Sequence, residues 1–135
     1  MNRSHELAEV LLRKAKNDEF AFEKLLGAQS SPDDVVGFHA QQAVEKSLKA
    51  VLSLRGVRYP LTHDLRRLLD LLRESSIPFP SEIEDVKGLT PFAAVFRYDD
   101  SPVEANVLDR SWALGRVRQV RSWSESMLRE SNQQT

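Results

Sequence analysis

Gln41, Glu45 and Lys49 stand at steps of four residues in the stretch FHAQQAVEKSLKAVL, which runs from Phe38 to Leu52. On a helix that spacing stacks an amide, an acid and a base in one row. Phe38 and Leu52 close the row at its two ends. Such a row can be a solvated face held by a Glu45–Lys49 pair. It can also be a partly desolvated network that binds a ligand or fixes an interface, in which case each polar group needs a partner. The apolar arc of the same helix, from Ala50 through Ala43, Leu54, Ala40, Val51, Val44 and Leu48, covers more than half its circumference. The row lies along one margin of that arc, so half-burial at a groove or subunit contact is the expectation.

Further groups with chemical potential lie in the connections. Arg97 and Tyr98 precede the last helical pattern, in a loop position of the kind that often carries function on a rigid scaffold. Their structural alternative is an arginine paired with Glu45, Asp99 or Asp100 and a tyrosine ring packed beneath the last helix. His63 and Asp64 open a short helix, where free backbone donors can meet an anion or where the pair simply caps. Arg110, Arg116, Arg118 and Arg121 form a local positive strip with no acid from Ser111 through Ser124. That strip is read either as solvated or as a contact for RNA phosphates or an acidic partner. His5, His39 and His63 show no metal-ligand spacing, so no metal and no cofactor are expected.

These residues need helices to position them. Leu7, Val10, Leu11, Ala15, then Phe20, Phe22 and Leu25 recur with mostly helical period between Ser4 and Leu26, and Gly27 marks the stop. Ser31-Pro32-Asp33-Asp34 reads as an N-cap, a proline at the first helical position and acids in the first turn, opening a helix that runs to about Leu54 before Gly56. Leu65, Leu68, Leu69 and Leu72 form a short third helix. Pro78 and Pro80 end it, and a weaker helical stretch follows from Ser81 to about Phe96, interrupted near Gly88 and Pro91. Ser101-Pro102-Val103-Glu104 has capping-box spacing and predicts the start of a last helix reaching about Glu130. Trp112 and Trp123 fall on one face of that helix as core or dimer contacts.

With no alternating strand pattern and no repeat, the fold class expected is all-α, an up-down antiparallel bundle of four to five helices. One domain over residues 3–130 and a polar tail over 131–135 account for the 135 residues. The composition is 41% hydrophobic and 29% charged, and 19 basic against 20 acidic side chains leave a net charge of -1. No global pull toward nucleic acid or anionic membrane follows from that balance. Cysteine is absent from the sequence, which excludes disulfides and thiolate chemistry and suits the cytoplasm. The first eighteen residues read as a helix rather than a signal peptide or membrane span.

The run Ala40, Gln42, Ala43, Glu45, Lys46, Lys49, Ala50 and Leu52, followed by Thr62-His63-Asp64-Leu65 and by FRYDD before the last helix, resembles the HEPN family, named for nucleotide binding in higher eukaryotes and prokaryotes. The similarity spans about Ser4 to Leu128. It implies a helical bundle, commonly a homodimer, often encoded beside a minimal nucleotidyltransferase and in some cases forming a toxin–antitoxin pair. RNA-cleaving members carry an arginine followed, after four to six intervening residues, by a histidine at the start of the last helix. Imidazole moves a proton near neutral pH while guanidinium neutralises the phosphate. Arg97 occupies the arginine position, but Pro102, Val103 and Glu104 stand where the histidine belongs, and no histidine follows His63. The spacing recurs once, from Arg58 to His63, at the wrong place in the bundle.

The resemblance therefore implies a nucleotide-binding or regulatory partner of a minimal nucleotidyltransferase, binding through Gln41, Glu45, Lys49, His63, Asp64, Arg97 and Tyr98. One alternative is a metal-independent ribonuclease toxin using Arg97 with Tyr98 or Glu104 as catalytic groups. Another is a structural dimerisation module without ligand.

Overall fold

The computed structural model describes residues 3–28, 30–93 and 107–133. Four α-helices and one 3-10 helix make up the described chain, with no strand: α1 Arg3–Leu26, α2 Asp33–Leu54, α3 Leu65–Glu74, the 3-10 helix Ser81–Phe92, and α4 Arg110–Gln133. The class is all-α, an up-down bundle, as the periodicity predicts.

Cross-helix bonds fix the directions. Asp33 meets Arg110 and the Ser47 carbonyl meets Ser124, so α2 and α4 run parallel. Glu23 meets Arg118 while Glu19 meets Arg121, so α1 runs antiparallel to α4. α2 is the central helix. It buries Val36, Ala40, Ala43, Val44, Leu48, Val51 and Leu52 in one core with Phe22, the leucines of α3, the apolar side of the 3-10 helix, and Ala113, Val117 and Val120 of α4. Apolar area removed from water, worth about 25 cal/mol per Å2, holds the layers together.

The turns explain how the chain reverses. Gly56, at φ 69°, takes the left-handed conformation after α2. The Gly56 N–H donates to the Ser53 carbonyl at 3.0 Å and the Val57 N–H to the Leu52 carbonyl at 2.9 Å, a Schellman closure. α3 ends the same way on Ser76, at φ 56°, where the Ile77 N–H donates to the Leu72 carbonyl at 2.9 Å. Gly37 has a different reason to be glycine. A Cβ there would lie 2.2 Å from the Phe92 ring, so the 3-10 helix docks directly on the backbone of α2.

Three boundaries depart from the sequence reading. α2 starts at Asp33 with Pro32 in the N-cap position and no side-chain cap. Asp33 is instead turned toward the approach to α4, where its carboxylate accepts from the Leu108 N–H at 3.1 Å and from the Arg110 guanidinium at 2.9 and 3.1 Å. The stretch from Ser81 is a continuous 3-10 helix through Phe92, not an interrupted α-helix. Ile83, Val86, Leu89 and Phe92 recur every third residue and are all buried, which suits a helix of three residues per turn whose i and i+3 side chains eclipse.

Within the described residues the last helix begins at Arg110 rather than before Val107. The Asp109 carboxylate caps it by accepting from the Trp112 N–H at 3.1 Å. The Ser101–Glu104 capping box lies outside the described residues.

Candidate functional site

The amide, acid and base row of α2 faces the connection from Val57 to Asp64. Gln41 is fully buried and Glu45 is 4% exposed. Each group has a partner. Gln41 Nε2 donates to Glu45 Oε1 and to the His63 carbonyl, both at 3.0 Å. With two acceptors in front of it, that atom must be the amide nitrogen, which fixes the amide's orientation. Gln41 Oε1 in turn accepts from Gln42 Nε2 at 2.7 Å.

Glu45 is the hub. Its Oε1 lies 2.8 Å from His63 Nδ1, and its Oε2 accepts from Lys49 Nζ at 3.1 Å. A carboxylate in that position can only accept, so Nδ1 carries a hydrogen and donates it. The imidazole itself is 67% exposed. A buried carboxylate thus holds a solvent-facing histidine, while the Lys49 ammonium balances its charge and lies 5.6 Å from the centre of the Tyr59 ring. Tyr59 continues the chain of contacts, its hydroxyl 3.1 Å from Ser53 Oγ. Burying a carboxylate this deeply is tolerable only because its oxygens are hydrogen-bonded and a cation is at hand.

Asp64 stands beside this group in a structural post. It is the N-cap of α3, its carboxylate accepting from the Arg66 N–H at 3.0 Å. The Asp64 N–H donates to Thr62 Oγ1 at 3.0 Å and the Leu65 N–H to Thr90 Oγ1 at 3.2 Å. These backbone donors are engaged within the chain, so of the two alternatives the capping one holds. Gln41, Glu45, Lys49 and His63 come together. Arg97, Tyr98 and Glu104 lie outside the described residues, as does any contact between them and the row.

The positive strip on α4 is also revised. Arg110 pairs with Asp33, Arg116 with Asp85 at 2.8 Å, Arg118 with Glu23 at 2.8 Å, and Arg121 with Glu19 at 3.2 Å and Glu125 at 3.0 Å. Each arginine is paired with an acid of this chain, so an open phosphate contact does not describe the strip. The Leu108 N–H and then the Arg110 guanidinium hold the Asp33 carboxyl below its ordinary range against the opposing effect of burial. Arg116 does the same for Asp85, with the Trp112 indole N–H adding to it. Lys16, ahead of Arg121, lowers Glu125. The acids responsible lie in α1, in the 3-10 helix and at the start of α2. The strip's own sequence window could not show them.

Trp112 donates its Nε1 to Asp85 at 2.9 Å, and Trp123 packs edge-on to Phe79 with ring centres 6.4 Å apart; both are half-buried in contacts within the chain. His39 sits between α1 and α2 with Nδ1 3.5 Å from Asp18, which also pairs with Lys46. Among the described residues no group of three or more His, Asp or Glu side chains forms a metal cage, and no helix is long and apolar enough to cross a membrane.

His63 was picked out by sequence, but its bond to Glu45 was not. The available signal was the repeated need of a buried acid for more donors than one lysine supplies. A family model described as HEPN domain matches residues 8–127. No curated protein and no solved structure matches the chain.

Proposed function

The chain belongs to the HEPN domain family, and from that premise we propose that it is the nucleotide-binding or regulatory partner of a minimal nucleotidyltransferase. In this reading it works in the cytoplasm as a homodimer and one half of a toxin–antitoxin pair. The carrying observation is the preassembled row of α2. Glu45, 4% exposed, holds the exposed His63 ring and the Lys49 ammonium in place through bonds made within the chain itself. Groups whose geometry is set in advance lose less freedom on binding, so such a site suits recognition.

A second feature supports a partner role over an enzyme acting alone. The sequence has no histidine beyond His63, so the imidazole that would share proton transfer with Arg97 in the RNA-cleaving pattern is missing. The binding residues in this reading are Gln41, Glu45, Lys49, His63 and Asp64, with Arg97 and Tyr98 contributed by the segment outside the described residues. Asp64 takes part by setting the start of α3 and hence the placement of His63.

The test is co-expression with the minimal nucleotidyltransferase encoded nearest the gene, followed by size-exclusion chromatography. Co-elution as a defined complex, together with a rise in melting temperature on adding nucleotide, is the expected result. A ligand that prefers the folded form must stabilise it. Separate elution with no nucleotide-dependent shift overturns the reading.

A further inference from the structure

Most cations packed against the bundle have an acid of the same chain to meet. The arginines of α4 are paired, Lys46 and Lys49 are paired on α2, and Arg73 is committed to Asp70 and Glu84. Arg3 and Arg58 are different: both are exposed, and neither has an acid partner among the described residues.

These two arginines flank one hollow. It has a volume of about 420 Å3 and is lined by Ser4 and Leu7 of α1, Ser53 near the end of α2, and Gly56 to Tyr59 of the connection that follows. Ser53 and Tyr59 engage each other's hydroxyls at 3.1 Å. Leu7, Val57 and the Tyr59 ring are then left as its apolar wall, with the Arg58 guanidinium as its one charged lining group. Arg3 stands one turn before Leu7 on the same face of α1. Glu6, the acid nearest in sequence, is turned roughly 100° away from Leu7.

Apolar surface and open main chain extend the feature along the connection. Leu7 and Leu61 are two of the four large hydrophobic side chains left exposed among the described residues, and Leu61 is wholly exposed. Arg58, Tyr59 and Leu61 make no main-chain hydrogen bond within the described residues. Pro60 favours an extended backbone at the residue before it. An extended polypeptide answers to all three features at once: it has main-chain groups to pair, a side chain to bury and acids to set against the guanidiniums.

We propose that this face docks an acidic peptide segment of another protein, carrying one large apolar side chain. That side chain enters between Leu7, Val57 and Tyr59, and acids on either side of it meet Arg58 and Arg3. Nucleic acid fits less well, since two of the three apolar walls are aliphatic and the chain as a whole carries a net charge of -1. The hollow near Arg73, Phe79 and Glu84 offers less, its cation being committed within the chain. Arg3, Leu7 and Arg58 lie outside the row of α2, so the docking site stands whether or not nucleotide binds there.

The experiment is selection of a random peptide library, displayed on phage, against the full chain, followed by fluorescence polarisation with the labelled consensus peptide. Enrichment of peptides with acids flanking a large apolar residue is expected. Arg58→Glu and Leu7→Ser, both at exposed side chains, should each weaken binding about tenfold. Arg66→Glu, an equal change of charge on α3, should leave it unaltered. A peptide with lysines in place of the acids should recover binding to Arg58→Glu, a charge-swap rescue that a merely structural role for Arg58 would not give.

No enrichment, a consensus without acids, or binding indifferent to Arg58→Glu overturns the inference. Two further outcomes overturn it by giving the face another occupant. An oligouridylate bound with the same dependence on Arg58 assigns it to RNA. Self-association lost in Leu7→Ser, read by size-exclusion chromatography with light scattering, assigns it to a second copy of the chain.

Discussion

Two regions of this bundle are built from the same ingredients and differ in depth. In the row on α2 the Glu45 carboxylate is buried at 4% exposure against Lys49 and His63. Along the seam where α4 meets α1 and the 3-10 helix, Arg116, Arg118 and Arg121 meet Asp85, Glu23 and Glu19 nearer the surface, with Arg118 56% exposed. Both regions join elements far apart in sequence. Water screens the seam and hardly reaches the Glu45 carboxylate, so the seam steers packing at low energy, while the row is expensive to break at its hub.

The largest expected effect breaks the row. Glu45→Ala takes the shared acceptor from the Lys49 ammonium, His63 Nδ1 and one of the two Gln41 amide hydrogens, and removing one partner of a buried pair costs about 3–5 kcal/mol. A fall in melting temperature of roughly 10 °C or more is expected by calorimetry. The double variant Glu45→Met, Lys49→Met recovers most of that loss, because no buried charge is then left alone. A single variant as stable as the parent would mean that the row is as well hydrated as the seam, and the contrast would disappear.

Next in size is the turn that follows α3. Ser76 holds φ 56°, a conformation that costs a residue with a Cβ about 1 kcal/mol and glycine almost nothing. Ser76→Gly should therefore raise stability by up to about 1 kcal/mol in denaturant unfolding, while Gly56→Ala, at φ 69° after α2, lowers it by a similar amount. The second change also sharpens the regional comparison. It disturbs the chain that delivers Tyr59 and His63 to the row and leaves the seam alone, so the chemical environment of His63 should change while that of Arg118 does not.

How much of this was readable in advance follows the range of the interactions. Gly27, Gly56 and the leucines of α3 place helices correctly because stops and periodicity are local. Gln41, Glu45 and Lys49 are legible as a row for the same reason. Glu45 to His63 spans eighteen positions and Arg121 to Glu19 spans 102; no window of sequence contains both partners, so the hub was seen without its third spoke and the strip without its acids. The 3-10 helix had a local signal in the three-residue beat of Ile83, Val86, Leu89 and Phe92, but Gly88 and Pro91 read more loudly as breaks. In the described residues Asp109 caps the last helix, and Asp33 fixes the chain beside it at Leu108 and Arg110.

Breaking the seam one pair at a time comes lower on the scale. Arg118→Ala removes the bond from an exposed arginine to the half-exposed Glu23, and about 0.5 kcal/mol is the expected cost, shrinking as salt is added. A loss as large as that of Glu45→Ala would place the seam and the row in the same energetic class and end the distinction drawn from their burial.

Acid tests the seam collectively, and its smallest resolvable effect belongs to a single carboxylate. Asp33, Asp85 and Glu125 are all held below their ordinary values, 3.8 for the aspartates and 4.5 for the glutamate, by hydrogen bonds to Leu108 and Arg110, to Arg116, and to Lys16 respectively. A carboxyl whose folded value is depressed contributes stability that is fully present above the unfolded value and is lost as pH falls through the folded one. The melting temperature should thus be flat from pH 7 to about pH 5 and decline below about pH 4.5, where the unfolded chain begins to take up these protons first. Asp33→Asn keeps the shape of the α2–α4 junction but removes its share of the decline, giving a shallower acid limb and a slightly lower plateau. An acid limb unchanged by Asp33→Asn would show that the bonds to Leu108 and Arg110 persist without the charge, and the junction would then belong with ordinary neutral hydrogen bonds instead of with the ionic seam.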